Sequence, residues 1–126
     1  MILVDTSVWV DHLRVGNKRL AGLLDTGTVL THPYIVGELA LGNLRQRETV
    51  LNALSDLPCA SIASDTEVLH FIGHHALFGR GIGYVDVHLL AGARLTGAQL
   101  WTNEKPLHDV ATQLGLAFTS PHHRGS

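Results

Sequence analysis

Three short apolar runs, Ile2-Leu3-Val4, Thr28-Val29-Leu30-Thr31 and Gln99-Leu100-Trp101-Thr102, are separated by long stretches in which apolar residues recur every three or four positions. The runs are too short for helices and read as strands, the second carrying three β-branched residues. Strands separated by helical segments cannot pair as hairpins. They need crossover connections, so the pattern predicts an α/β fold with a mostly parallel central sheet and helices on both faces. Two more strands are expected, at Ala60–Ala63 and, on a sheet edge, at Leu116–Thr119. One helix face is formed by Val8, Trp9, His12 and Leu13, and another by Leu20, Leu23 and Leu24, ending at Gly27. Ile35–Gly42, Thr49–Leu54, Val85–Leu95 (closed by Gly97) and Pro106–Leu114 are also helical. Ser64-Asp65-Thr66-Glu67 has the form of a capping box, leading into Val68, Leu69, Ile72 and Ala76 and a stop at Gly79.

With 126 residues, 45% apolar and 16% charged, the chain fits one domain with its own core, and it shows no repeat or linker. The domain is assigned to 1–120; the tail 121–126, with His122-His123-Arg124, reads as partly a remnant of a cloning or purification sequence. The single cysteine, Cys59, cannot form an internal disulfide, which fits a reducing compartment and a small buried side chain. The apolar start stops at Val4, short of a signal peptide, and no window approaches the ~18 apolar residues of a membrane helix. A cytoplasmic protein with no membrane partner is expected. The net charge of −2 does not mark nucleic-acid binding, and the basic residues form no run.

A carboxylate at a strand tip is a poor place for a lone negative charge, and Asp5 follows Val4 directly. In parallel sheets, sites form outside the carboxyl ends of the strands. Asp5 belongs at such an end, as do Thr102, Asn103 and Glu104. Glu38 shares a helix face with Ile35 and Leu41, and Asp86 stands in the first turn of its helix. Each acid alone has an ordinary reading. Glu38 suits a helix boundary, and Asp86 and Glu104 suit caps that complement a helix dipole. Together they fall on one edge of a parallel sheet. Carboxylates converging within about 6 Å repel one another unless a cation sits between them, and hard oxygen ligands suit Mg²⁺ or Mn²⁺.

The runs D-T-S-V-W-V-D, G-E-L-A-L-G, G-R-G-I-G-Y-V-D-V-H-L-L-A and L-W-T-N-E-K-P-L, with L-G-L after them, resemble PIN-domain ribonucleases. The nearest likeness is to the toxin component of VapBC-type toxin–antitoxin pairs. The resemblance spans nearly the whole chain, with four blocks in order. It implies a PIN-like α/β/α sandwich and an acidic pocket for Mg²⁺ or Mn²⁺, with the acids on Asp5, Glu38, Asp86 and Glu104. Asp5 and Asp86 would be direct metal ligands, Glu38 and Glu104 direct or through water. Glu104 departs from the family's usual Asp, and its extra methylene puts direct metal contact in doubt; Asn103 beside it could share the work. Thr6, Ser7 and Thr102 match the family's hydroxyls, which either cap or bond a metal-bound water. Arg80 matches an Arg-Gly pair that would meet RNA phosphate or a partner, or stay solvated. The implied activity is endonucleolytic RNA hydrolysis to 5′-phosphate and 3′-hydroxyl ends. A cognate antitoxin, a homodimer through the early apolar helices and a higher toxin–antitoxin assembly are implied as partners.

Rival readings are weaker. Leu24-Asp25-Thr26-Gly27 resembles an aspartic-protease loop, but it sits at the end of a helical pattern. A phosphatase built on Asp5 would need a second Asp where Ser7 stands. His70 and His74 have zinc-ligand spacing yet read as a solvated face, and His32, His88, Trp9 and Trp101 as packing residues, the histidines with their polar atoms satisfied. An inactive PIN-like module that binds RNA or protein remains the alternative, because of Glu104.

Overall fold

The computed structural model describes residues 1–119; the tail assigned to 121–126 lies outside them. Three strands, β1 (Ile2–Val4), β2 (Val29–Leu30) and β3 (Gln99–Trp101), form one sheet in the order β2-β1-β3. Both pairings are parallel, with Leu3 opposite Leu30 on one side and Leu100 on the other. Among the described residues, seven helices surround the sheet: α1 (Thr6–Val15), α2 (Lys18–Asp25), α3 (Pro33–Leu41), α4 (Arg47–Ser55), α5 (Asp65–His74), α6 (Tyr84–Thr96) and α7 (Lys105–Gln113). β1 is the central strand and is buried along its whole length. Leu3 and Val4 have no exposure at all, as apolar runs covered on both faces require. None of these helices is long and apolar enough to cross a membrane.

Two expected strands shrink to single bridges. At Ala60–Ala63 the ladder consists of Thr31 N–H to the Pro58 carbonyl (2.8 Å) and Ala60 N–H to the Thr31 carbonyl (2.9 Å), a bridge centred on Cys59. The segment then leaves the sheet, because Ser61 N–H turns to the Thr96 hydroxyl at 2.9 Å. Leu116–Thr119 likewise pairs with β3 only around Ala117, through two bonds to Leu100. Cys59, expected inside, is exposed; its neighbours Pro58 and Ala60 make the two bridge bonds, and its own side chain stays outside the core. The capping box is present in full, with the Ser64 hydroxyl accepting from Glu67 N–H at 3.1 Å and the Glu67 carboxylate from Ser64 N–H at 2.8 Å. The helix it starts ends at His74 rather than Gly79. Ala76 takes a positive φ of 52°, and Leu77 N–H folds back to the Ile72 carbonyl at 3.0 Å. The turn tucks Leu77 into the core, which outweighs another turn of helix. Trp9 and Trp101 are packing residues, each 4% exposed.

Gly92, buried in α6, is fixed by the same crossing. A Cβ there would lie 2.8 Å from the Ser61 carbonyl oxygen, a backbone atom held in place by the adjoining bond to Thr96. Alanine normally improves a helix interior by up to about 1 kcal/mol. Here the overlap should dominate, and Gly92→Ala is expected to lower stability by about 1–3 kcal/mol in urea unfolding. A midpoint equal to or above the wild type would contradict this packing.

Candidate active site

Because both pairings are parallel, the carboxyl ends of β1 and β3 lie side by side, and the chain leaves each into a helix. Asp5 and Glu104 occupy the N-cap positions of α1 and α7, yet neither side chain caps its helix. Asp5 is 3% exposed and turns to hydroxyls instead. Its Oδ2 accepts from Ser7 Oγ and from Thr102 Oγ1, each at 2.8 Å. The same two hydroxyls accept backbone N–H groups from the loop after β3, Asn103 to Ser7 at 3.0 Å and Glu104 to Thr102 at 3.1 Å. A pair of hydroxyls therefore ties the first strand tip to the loop that carries the last acid.

Asp86 does cap, accepting from Gly83 N–H at 2.9 Å across the first turn of α6. One carboxylate oxygen from each of Asp5, Asp86 and Glu104 lies within 4.8 Å of the other two. The longer arm of Glu104 thus brings a carboxylate oxygen beside those of Asp5 and Asp86. Glu38 is set apart. It is exposed on α3 and accepts from the Thr6 hydroxyl at 2.7 Å. Neither Thr6 nor Ser7 caps α1; both are committed to acids. The Asn103 side chain is exposed and joins the network only through its backbone. Arg80 is exposed and donates to the Gln113 side chain at 2.7 Å. His70 and His74 line an apolar groove of about 430 Å³ between α5 and α6 that holds none of the four acids.

The electrostatics follow from this crowding. Burial raises the Asp86 carboxyl above its ordinary value; the Gly83 N–H opposes that, and the charges of Asp5 and Glu38 add to the rise. Glu104 is raised by burial first, then by Asp5, Asp86 and Glu38. Among the described residues none of these four acids forms an ion pair with Lys, Arg or His. Three hard oxygens at this spacing, with no internal counter-charge, are a donor set that fits Mg²⁺ or Mn²⁺.

The raised values have a sign. Folded protein holds protons on Asp86 and Glu104 more tightly than the unfolded chain. This contribution therefore favours folding below the ordinary carboxylate pKa and is lost as pH rises through the higher folded values. A divalent cation should reverse that loss. Mg²⁺ or Mn²⁺ at about 100 times its dissociation constant is expected to add about 2.7 kcal/mol near neutral pH, and much less near pH ~5, where protons compete. Thermal melts with and without chelator check this. A cation effect as large in acid as at neutrality would mean that these carboxylates are not its ligands.

His32 and His88 are buried, but only His32 is partly satisfied, its Nδ1 accepting from Tyr34 N–H at 3.1 Å. Neither ring nitrogen of His88 has a hydrogen-bond partner, although Nε2 lies 3.3 Å from Asp65 Oδ1. The expectation of a satisfied histidine fails there, because His88 is held by aromatic rings rather than by polar groups.

No family model matches the chain. It is 44% identical over 119 residues to ribonuclease VapC32 of Mycobacterium tuberculosis, in strains CDC 1551 and H37Rv, covering 94% of this chain and 96% of the relative. Among solved structures, FitAcB from Neisseria gonorrhoeae superposes with a TM-score of 0.66 at 23% identity, covering 98% of this chain and 99% of that one. FitAB bound to an IR36 DNA fragment gives 0.61 at 19% identity, covering 98% and 100%. At these identities the two structures share the fold.

Proposed function

This chain belongs to the VapC family of PIN-domain ribonucleases, and from that premise we propose that it is a divalent-cation-dependent endoribonuclease, the toxin of a type II toxin–antitoxin pair. The observation that carries the reading is the trio Asp5, Asp86 and Glu104, drawn within 4.8 Å from three distant parts of the chain. The Glu104 departure, which had left room for a binding-only module, supports activity instead, since its reach supplies the third oxygen.

Asp5, Asp86 and Glu104 would hold Mg²⁺ or Mn²⁺. When bound, such an ion lowers the pKa of a water and offsets charge growing on the phosphate. Ser7 and Thr102 hold Asp5 through Oδ2, which leaves Oδ1 without a side-chain donor. Glu38 lies outside the trio, and Thr6 fixes its orientation, so it is the carboxylate left to orient the attacking water or take its proton. Attack in line with the 3′ oxygen leaves a 5′-phosphate and a 3′-hydroxyl. The acids repel a polyanion, and the exposed guanidinium of Arg80 is assigned to a phosphate of the strand. Residues 1–120 make up the nuclease unit in this reading, which acts in the cytoplasm. An antitoxin would cover the pocket with a cationic side chain. The exposed Val10, Leu13 and Val15 of α1 supply apolar surface for a homodimer or a larger toxin–antitoxin assembly.

The test is to incubate purified protein with RNA in Mg²⁺, Mn²⁺ or EDTA and sequence the ends. Internal cuts bearing 5′-phosphates, abolished by EDTA, are expected. Cleavage that persists in EDTA, or cyclic phosphate ends, would overturn the mechanism.

A further inference from the structure

We propose that Tyr34 and Tyr84 form a stacking platform for an unpaired nucleobase beside the phosphodiester to be cut, an inference that rests on the ribonuclease reading. Each of the two helices that carry Glu38 and Asp86 delivers a tyrosine in its first turn, and both rings stay exposed, at 37% and 45%. Tyr34 precedes Glu38 by four residues, one turn along the same face of α3. Tyr84 opens α6, where Asp86 bends back to the Gly83 N–H, so ring and carboxylate share one turn.

The two tyrosines are coupled through His88. Its ring lies 4.8 Å from each of theirs, edge to face in both cases, and His32 backs Tyr34 at 5.1 Å. The Tyr84 hydroxyl is fixed by donating to Asp65 at 2.9 Å. This row of four rings explains why a histidine is buried with no hydrogen bond: it wedges two exposed rings in place. Rings held this way cost little entropy to use, and a base offers a flat π-face to stack on them. An uncharged platform also grips the strand without adding negative charge beside the acids. A base in a duplex is already stacked, so the platform selects unpaired RNA.

The experiment measures binding of single-stranded and duplex oligoribonucleotides, containing a mapped cut site, to Asp5→Asn protein, which should bind without cutting. Adding Tyr34→Ala or Tyr84→Ala should weaken single-strand binding on the order of tenfold. Tyr34→Phe and Tyr84→Phe, which keep the ring, should retain most of it. An abasic nucleotide at one position flanking the cut should weaken binding to the intact platform, and that penalty should vanish in the alanine variants. Full affinity in folded alanine variants, an unchanged abasic penalty or equal affinity for duplex would each overturn the platform. Failure of the wild type to cut RNA strikes the ribonuclease reading instead, and is scored separately.

Discussion

Asp5→Asn is expected to slow RNA cleavage by at least about a thousandfold while the protein keeps its fold, because the lost cation chemistry is worth several kcal/mol of barrier. The substitution changes little in shape. The asparagine carbonyl can take the place of Oδ2 and accept from Ser7 and Thr102, which are fixed by the Asn103 and Glu104 N–H groups. The change also removes one of the charges that crowd Asp86 and Glu104. Without cation the variant should therefore melt no lower than the wild type, and added Mg²⁺ should raise its melting temperature far less. Single-turnover cleavage and paired melts separate the two effects. A rate within tenfold of the wild type would remove Asp5 from the chemistry.

Thr102→Val should lower cation affinity by about 10- to 100-fold, the usual cost of removing a group that orients a ligand. The shapes match, but one hydroxyl does two jobs here: it donates to Asp5 and accepts from Glu104 N–H. Valine leaves that part-buried N–H without its partner, which adds about 1–3 kcal/mol of destabilisation. Thr102→Ser should restore both bonds. The discriminating measurement is the cation concentration giving half-maximal cleavage and half-maximal thermal shift. A purely structural role would change the melting temperature and leave those midpoints in place. If Thr102→Val keeps the wild-type midpoints, the hydroxyl does not position Asp5.

Much of the architecture was legible because its signals are local. The strands at Ile2–Val4 and Gln99–Trp101, the Ser64 capping box and the stop at Gly97 depend on neighbours within a few positions. The extra strands at Ala60–Ala63 and Leu116–Thr119 were overextended for the opposite reason. Their composition suits a sheet, but the number of ladder bonds is set by where Ser61 meets Thr96 and where Leu116 meets Leu100. The end of α5 was misjudged because burying Leu77 is a long-range gain that outweighs helical periodicity.

The sequence by itself determined that Asp5 and Glu104 would stand on one edge of a parallel sheet, since each follows a strand and parallel strands end on the same side; that the two strands are neighbours came from the structure. Only the tertiary structure decided how the hydroxyls and acids pair: Ser7 and Thr102 to Asp5, Thr6 to Glu38, and Glu104 rather than Glu38 beside Asp5 and Asp86. The hydrogen-bonded partners among them are 2 to 97 residues apart in the chain. A hydrogen bond depends on a few tenths of an ångström, which no spacing along a sequence encodes and which packed helices fix.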